Sequence, residues 1–205
     1  MTGPPLAATA RREDTPVDTG VRAVVLVEGT SDRVALEALA NRRGRDLAGE
    51  GVSVVPIGGA QAIGRFLERY GPRGLNLELA GLCDAAEEPD FRRALERAGF
   101  GSILTRAEME RLGFYVCVRD LEEELIRALG TDAVEEIIAA QGELGAFRTL
   151  QKQAAWRGRP TAEQLRRFMG SGGRRKIRYA RLLVDALDLD KVPRPLDGVL
   201  AQAVR

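Results

Sequence analysis

Hydrophobic positions along this chain follow two regimes, and the change between them comes near residue 130. Before it, short β-branched runs alternate with longer stretches whose apolar positions recur three and four apart. Residues 22–29, Arg-Ala-Val-Val-Leu-Val-Glu-Gly, are apolar at every interior position, as expected of a strand covered on both faces in a parallel sheet. Glu28 and Gly29 end that run. Thr30 or Ser31 can cap a helix whose apolar positions Val34, Leu36, Leu39 and Ala40 share one broad face, ending near Gly44. The unit then repeats: a strand over 52–57, a turn at Gly58-Gly59, a helix over 62–70, a third strand over 77–83, a helix over 91–98, a fourth strand over 113–118 and a helix over 121–129. Parallel strands need crossover connections, so this alternation predicts an open, mainly parallel, four-stranded α/β sheet. Pro56 lacks an N–H to donate, which favours an edge position or a bulge for the second strand.

After Gly130 the pattern turns wholly helical, over 132–140, 144–156, 162–169, 174–187 and 196–204, with no strand candidate. Residues 1–20 are polar and proline-containing without periodicity. The expected organisation is a disordered leader over 1–20, an α/β core over 21–130 and a helical extension over 131–205 packed on that core. Gly170-Ser-Gly-Gly173 reads as a flexible hinge within the extension.

Composition narrows the chemistry more than the fold. The 205 residues include no histidine, which excludes Ser-His-Asp and Cys-His hydrolases, HExxH metalloproteases and histidine-based zinc sites. Cys83 and Cys117 each sit in an apolar run, which suits small buried hydrophobes in a reducing cytoplasm better than a bridge. Nothing approaches the roughly eighteen apolar residues of a membrane span or the core of a secretion signal, so a cytoplasmic location is expected. A net charge of +1 leaves any nucleic-acid contact to local clusters.

The acids form such a cluster. Glu28 ends the first strand, Asp84 the third, and Asp120 lies just past the fourth, with Asp32 four residues after Glu28 and Glu122 two after Asp120. A lone acid at a strand end is more often a solvated loop charge or a helix cap. Open parallel sheets, however, bind ligands at the carboxyl ends of their strands, and carboxylates converging there repel unless a cation compensates. Hard oxygen donors of this kind point to a divalent metal such as Mg²⁺.

The segment Val24-Val-Leu-Val-Glu-Gly-Thr-Ser-Asp-Arg-Val-Ala-Leu36 resembles the opening motif of TOPRIM domains, and Gly58-Gly59 and Gly81-Leu-Cys-Asp84 resemble later parts of that Rossmann-like fold. Arg119-Asp-Leu-Glu-Glu-Glu-Leu125, with a later helix carrying Lys176, is similar to the TOPRIM region of OLD-family (overcoming lysogenization defect) nucleases. The similarity spans residues 22–190. It implies a divalent-metal-dependent nuclease that hydrolyses nucleic-acid phosphodiester bonds, with DNA favoured, by a two-metal mechanism with Mg²⁺ or Mn²⁺. Glu28, Asp32 and Asp84 would serve one ion and Asp120 and Glu122 the second, with Glu28, Asp84 and Lys176 as the catalytic residues. A ribonuclease acting on structured RNA, or a non-catalytic nucleic-acid-binding subunit, is the alternative. TOPRIM sequences usually carry DxD after the third strand; here Asp84 is followed by Ala85 and Ala86, leaving Glu87 or Glu88 to substitute. OLD proteins normally carry an ATPase domain, yet no GxxxxGK[ST] loop occurs here, so a separate ATPase or helicase subunit would supply any energy.

Helical spacing places Lys176 in line with Tyr179, Ala180, Leu183 and Leu187 on the packed side, where it can address a phosphate or snorkel. Arg174, Arg178 and Arg181 share another face, which suits either simple solvation or contact with a nucleic-acid backbone. Trp156 and Tyr179 fit the core better than base stacking.

Overall fold

The computed structural model describes residues 20–203. The expected leader therefore lies, but for Gly20, outside the described residues. Four strands, β1 (Ala23–Val27), β2 (Val52–Pro56), β3 (Glu78–Cys83) and β4 (Phe114–Val116), form one sheet in the order β2-β1-β3-β4, with every pairing parallel. Between them run α1 (Thr30–Arg42), a 3₁₀ turn (Ala60–Ala62) leading into α2 (Ile63–Tyr70), α3 (Glu88–Ala98) and α4 (Arg106–Arg111). Six helices follow: α5 (Leu121–Leu129), α6 (Thr131–Ala140), α7 (Leu144–Lys152), α8 (Thr161–Met169), α9 (Gly173–Ala186) and α10 (Arg194–Ala203). The expected α/β class, parallel four-stranded sheet and C-terminal helices are all present, and Pro56 does end an edge strand.

The period-two alternation of β1 creates two cores. Val24 and Leu26 face a cluster with Ile63, Phe66 and Leu67 of α2 and Phe91 and Leu95 of α3. Ala23, Val25 and Val27 face the opposite cluster, made with Leu36 and Leu39 of α1 and with Leu183, Val184, Leu196 and Leu200 from the last two helices. The sheet is thus the middle of three layers. The helices after residue 130 share one continuous core with α1 and the strands. Gly81 is required within β3, because a Cβ there would stand 2.6 Å from Cδ1 of Phe114 on the neighbouring strand.

Two local expectations need correction. The helix expected over 144–156 ends at Lys152, where Gln153 turns extended; the small and polar residues beyond offer no apolar face, and Trp156 lies in the turn that follows. Helix α4 was not anticipated, although Thr105 and Glu108 carry its start as a capping box: Glu108 Oε2 accepts from the Thr105 N–H at 2.7 Å, and the Glu108 N–H donates to Thr105 Oγ1 at 3.3 Å.

Helix α9 is set against α1 by Arg42, whose Nη1 donates to the carbonyls of Val184 at 2.8 Å and Leu187 at 2.6 Å. The carboxyl end of one helix is thereby tied to the carboxyl end of the other. Their first turns, carrying Asp32 and Lys176, consequently come to the same edge of the sheet.

Candidate metal centre at the carboxyl edge of the sheet

The register brings the strand ends together, with Val27 opposite Leu82 and Leu82 opposite Tyr115. Glu28 leaves β1 and Asp84 leaves β3 at the same edge. The loops beyond β3 and β4 are joined by backbone hydrogen bonds from Cys117 to Cys83 (2.9 Å) and from Ala85 to Arg119 (3.0 Å). That second bond holds the loop after Asp84 against the one that leads to Asp120.

Asp32 is buried in the first turn of α1, where its Oδ2 accepts the Gly29 N–H at 2.8 Å. Burial pushes its carboxyl up to about 6, against the pull of the Gly29 bond and of Lys176. Asp84 is pushed up to about 8, by burial first and then by the charges of Glu28, Asp32 and Asp120, with Lys176 opposing. Glu87 also rises to about 8, through burial and then the hydrogen bond and charge of Glu28, against whose carboxyl it lies. Glu122, on the buried face of α5, is raised by burial and by Asp120 and Asp32, with Lys176 working the other way.

Lys176 is the cation among these acids. Its Nζ stands 3.5 Å from Glu122 Oε1. Burial alone would lower its pKa, but Glu122, Asp32, Asp84 and Glu28 outweigh burial and hold the ammonium above its ordinary value. One lysine does not neutralise the set. At neutral pH Asp84 and Glu87 therefore retain protons that a divalent cation would displace.

The donor set suits such a cation chemically. All donors are hard carboxylate oxygens, and two buried ones, Glu122 Oε1 and Glu87 Oε2, have no hydrogen-bond partner. Among the described residues, no three acidic or cysteine side chains are already drawn to the separation at which an ion would hold them. Mutual repulsion opposes that closure until a cation enters.

Asp120 stands apart from the others. It caps α5, with Oδ1 accepting the Glu123 N–H at 2.9 Å, and its Oδ2 is taken by the guanidinium of Arg166 from α8. No local signal could have revealed Arg166. Glu124 lies beside the site on the same helix, buried, accepting the Val118 N–H at 2.7 Å and pairing with Arg127. Its position between Leu121 and Leu125 on one helical face is the signal that could have identified it as inward-facing.

Of the three arginines expected on the outer face of α9, Arg174 is exposed, Arg181 pairs with Asp185 at 3.4 Å, and Arg178 is held by Glu143. Glu143 gathers Arg178 (2.5 Å), Arg175 (3.1 Å) and the Tyr179 hydroxyl (2.8 Å). Those three donors overcome its partial burial and lower its pKa to about 2. Tyr179 is buried in the core, Trp156 half-buried, and both cysteines are buried and free. Among the described residues, no helix is long and apolar enough to cross a membrane.

Residues 21–85, from β1 to just past Asp84, match the family "Overcoming lysogenization defect protein-like, TOPRIM domain". No curated protein sequence matches the chain significantly. Among solved structures, the C-terminal region of the Xanthomonas campestris pv. campestris OLD protein aligns with a TM-score of 0.71 at 23% identity, covering 90% of this chain and 92% of that one. The C-terminal region of the Burkholderia pseudomallei OLD protein aligns with a TM-score of 0.69 at 21% identity, covering 90% and 97%. At such identities the structural likeness speaks for the fold, while the family match speaks for the segment holding Glu28, Asp32 and Asp84. Residues 21–85 of this chain thus match an OLD-like TOPRIM domain, within a fold that the chain shares with the C-terminal regions of OLD proteins.

Proposed function

We propose that this protein is a divalent-metal-dependent nuclease hydrolysing phosphodiester bonds of nucleic acid, DNA in preference to RNA, with Mg²⁺ or Mn²⁺ bound at the carboxyl edge of the sheet. The observation that carries this reading is the excess of poorly compensated carboxylates there, set around the single ammonium of Lys176. OLD-like TOPRIM domains are a family of metal-dependent nucleases, which supports it.

In this reading Glu28, Asp32 and Asp84 hold one ion and Glu122 and Asp120 a second. Bound divalent ions supply charge neutralisation at the phosphate and a more acidic water. Asp32 is fixed for its part by the Gly29 N–H, which leaves its other oxygen available. Lys176, kept charged by its acidic neighbours, offsets the negative charge that builds on the scissile phosphate, in a half-buried position where water screens it poorly. Arg174, exposed at the start of α9, is the arginine of its face most available to a nucleic-acid backbone.

One observation favours a second reading. Both oxygens of Asp120 are already engaged, which weakens the second ion site and suits a non-catalytic nucleic-acid-binding subunit. Incubation of supercoiled plasmid, and separately of structured RNA, with Mg²⁺, Mn²⁺ or chelator decides between them. Nicking that needs the ion and is abolished by chelator is the expected result. Binding of nucleic acid that is unaffected by chelator, with no cleavage of either substrate, would establish the binding subunit instead.

A further inference from the structure

Two adjacent acids that the sequence cannot tell apart, Glu87 and Glu88, follow β3 as the fourth and fifth residues beyond it. The structure gives them opposite surroundings. The chain leaves Asp84 through a turn closed by the Glu87 N–H on the Asp84 carbonyl at 3.0 Å. The Glu87 carbonyl then becomes the first acceptor of α3, taking the N–H groups of Asp90 at 2.9 Å and Phe91 at 3.2 Å. That turn carries the Glu87 side chain back over the carboxyl edge of the sheet, against Glu28.

Glu88 points the other way and is satisfied. Its Oε2 accepts from Arg106 Nε at 3.1 Å and Nη2 at 2.5 Å, and Arg92 stands 3.9 Å from Oε1. Asp90, next in line, pairs with Arg93. Glu87 alone of these three acids has no salt bridge among the described residues, and its Oε2 is buried without a hydrogen-bond partner. A buried carboxylate oxygen without a donor is costly unless a cation or proton meets it.

A second observation is independent of this loop. Glu122, on α5, is 6% exposed, and its Oε1 is likewise buried without a hydrogen-bond partner, facing Lys176 within the same group of acids. Two different elements thus bring buried carboxylate oxygens without a hydrogen-bond partner to the group of acids around Asp32.

We propose that Glu87 is a ligand of the divalent cation, supplying with Glu28 and Asp84 the acid that Ala85 and Ala86 do not. The longer glutamate side chain and the turn together return a carboxylate to the edge that the two alanines leave bare. This proposal rests on the metal-dependent reading above, but its test does not need cleavage.

Mn²⁺ binding to the full chain is measured by calorimetry and by the electron paramagnetic resonance signal of free Mn²⁺, for wild type, Glu87→Gln, Glu87→Asp, Glu88→Gln and Asp84→Asn, each checked for fold by circular dichroism. Glu87→Gln should weaken Mn²⁺ binding at least about tenfold. Glu87→Asp, which keeps the charge but withdraws the oxygens by one methylene, should also weaken it. Glu88→Gln should bind as wild type does. Wild-type affinity in Glu87→Gln, alongside loss in Asp84→Asn, would overturn the role of Glu87 and leave the metal centre standing. Wild-type affinity in Glu87→Asp alone would reduce Glu87 to a remote charge and so refute ligation. Absence of binding by the wild type at millimolar Mn²⁺ would bring down the metal reading and this proposal with it.

Discussion

Replacing Asp84 by asparagine should stabilise the metal-free protein, and the size of the effect should depend on pH. An aspartate ordinarily titrates near 3.8, and in the fold Asp84 is pushed up to about 8 by burial and by its acidic neighbours. The folded protein therefore retains a proton that the unfolded chain releases, across the window between those values. Below the window the carboxyl is protonated in both states and costs nothing. Through it, stability falls as pH rises, and above it the whole cost is present. Linkage over that shift gives a cost of about 4 kcal/mol at pH 7 but only about 1.7 kcal/mol at pH 5.

Asparagine has the shape of the carboxyl without its ionisation. Asp84→Asn should therefore melt above wild type in chelator at pH 7, and by less than half as much at pH 5. Proton sharing with Asp32 and Glu87 and relaxation of the loop reduce the realised gain to about 1–4 kcal/mol, or at least about 3 °C for a chain of this size. Saturating Mg²⁺ should reverse the order, because the ion stabilises only the protein that binds it. The measurement is thermal unfolding by circular dichroism at pH 5 and pH 7, with chelator and with Mg²⁺. A variant that melts at or below wild type in chelator at pH 7, or a difference unchanged between the two pH values, would refute the crowding of acids around Asp84.

Glu28→Ala should remain folded and bind nucleic acid, yet lose at least about a hundredfold in cleavage, the lower scale for removing a positioned catalytic group; single-turnover assays would show it. Lys176→Met should lose cleavage similarly while tightening Mn²⁺ binding, since it removes the ammonium paired with Glu122; weaker Mn²⁺ binding would contradict that placement. Arg174→Ala should weaken nucleic-acid binding and reduce its salt dependence by about one unit of slope without shifting the melting temperature, whereas Arg178→Ala, which also breaks a bond to Glu143, should lower it by about 1–2 °C. Gly198→Ala would put a Cβ 2.3 Å from Cε1 of Tyr115, so it should cost about 1–3 kcal/mol in denaturant unfolding by displacing α10 from β4.

The acids illustrate how far local pattern reaches. Glu28 and Asp84 stand where apolar runs stop, so their arrival at a sheet edge follows from the strands themselves. Lys176 lies in register with Tyr179, Ala180 and Leu183, and helical periodicity is enough to turn it toward the packed side. Asp120 was equally visible as an acid beyond a strand, but its capping of α5 and its pairing with Arg166 were not. That partner lies 46 positions away on a helix whose docking no local pattern specifies. Glu87 and Glu88 are indistinguishable in sequence, and only the turn after Asp84 and the position of Arg106 separate them.

By itself, the sequence determined the strands, all the helices but the short α4, and which face of each turns inward, because a strand repeats every two residues and a helix every 3.6, and burial selects the apolar side. It also excluded histidine from any chemistry and set acids at the strand ends as the candidates for it. Tertiary structure decided which charges meet. The order β2-β1-β3-β4 sets Glu28 beside Asp84, and Arg42, reaching carbonyls 142 and 145 positions away, aligns α9 with α1 so that Lys176 arrives beside Asp32. Pairings between elements depend on docking, and docking is a property of complementary surfaces rather than of any stretch of chain. Whether a given carboxylate is capped, neutralised by arginine or left facing the others is therefore settled only when those surfaces come together.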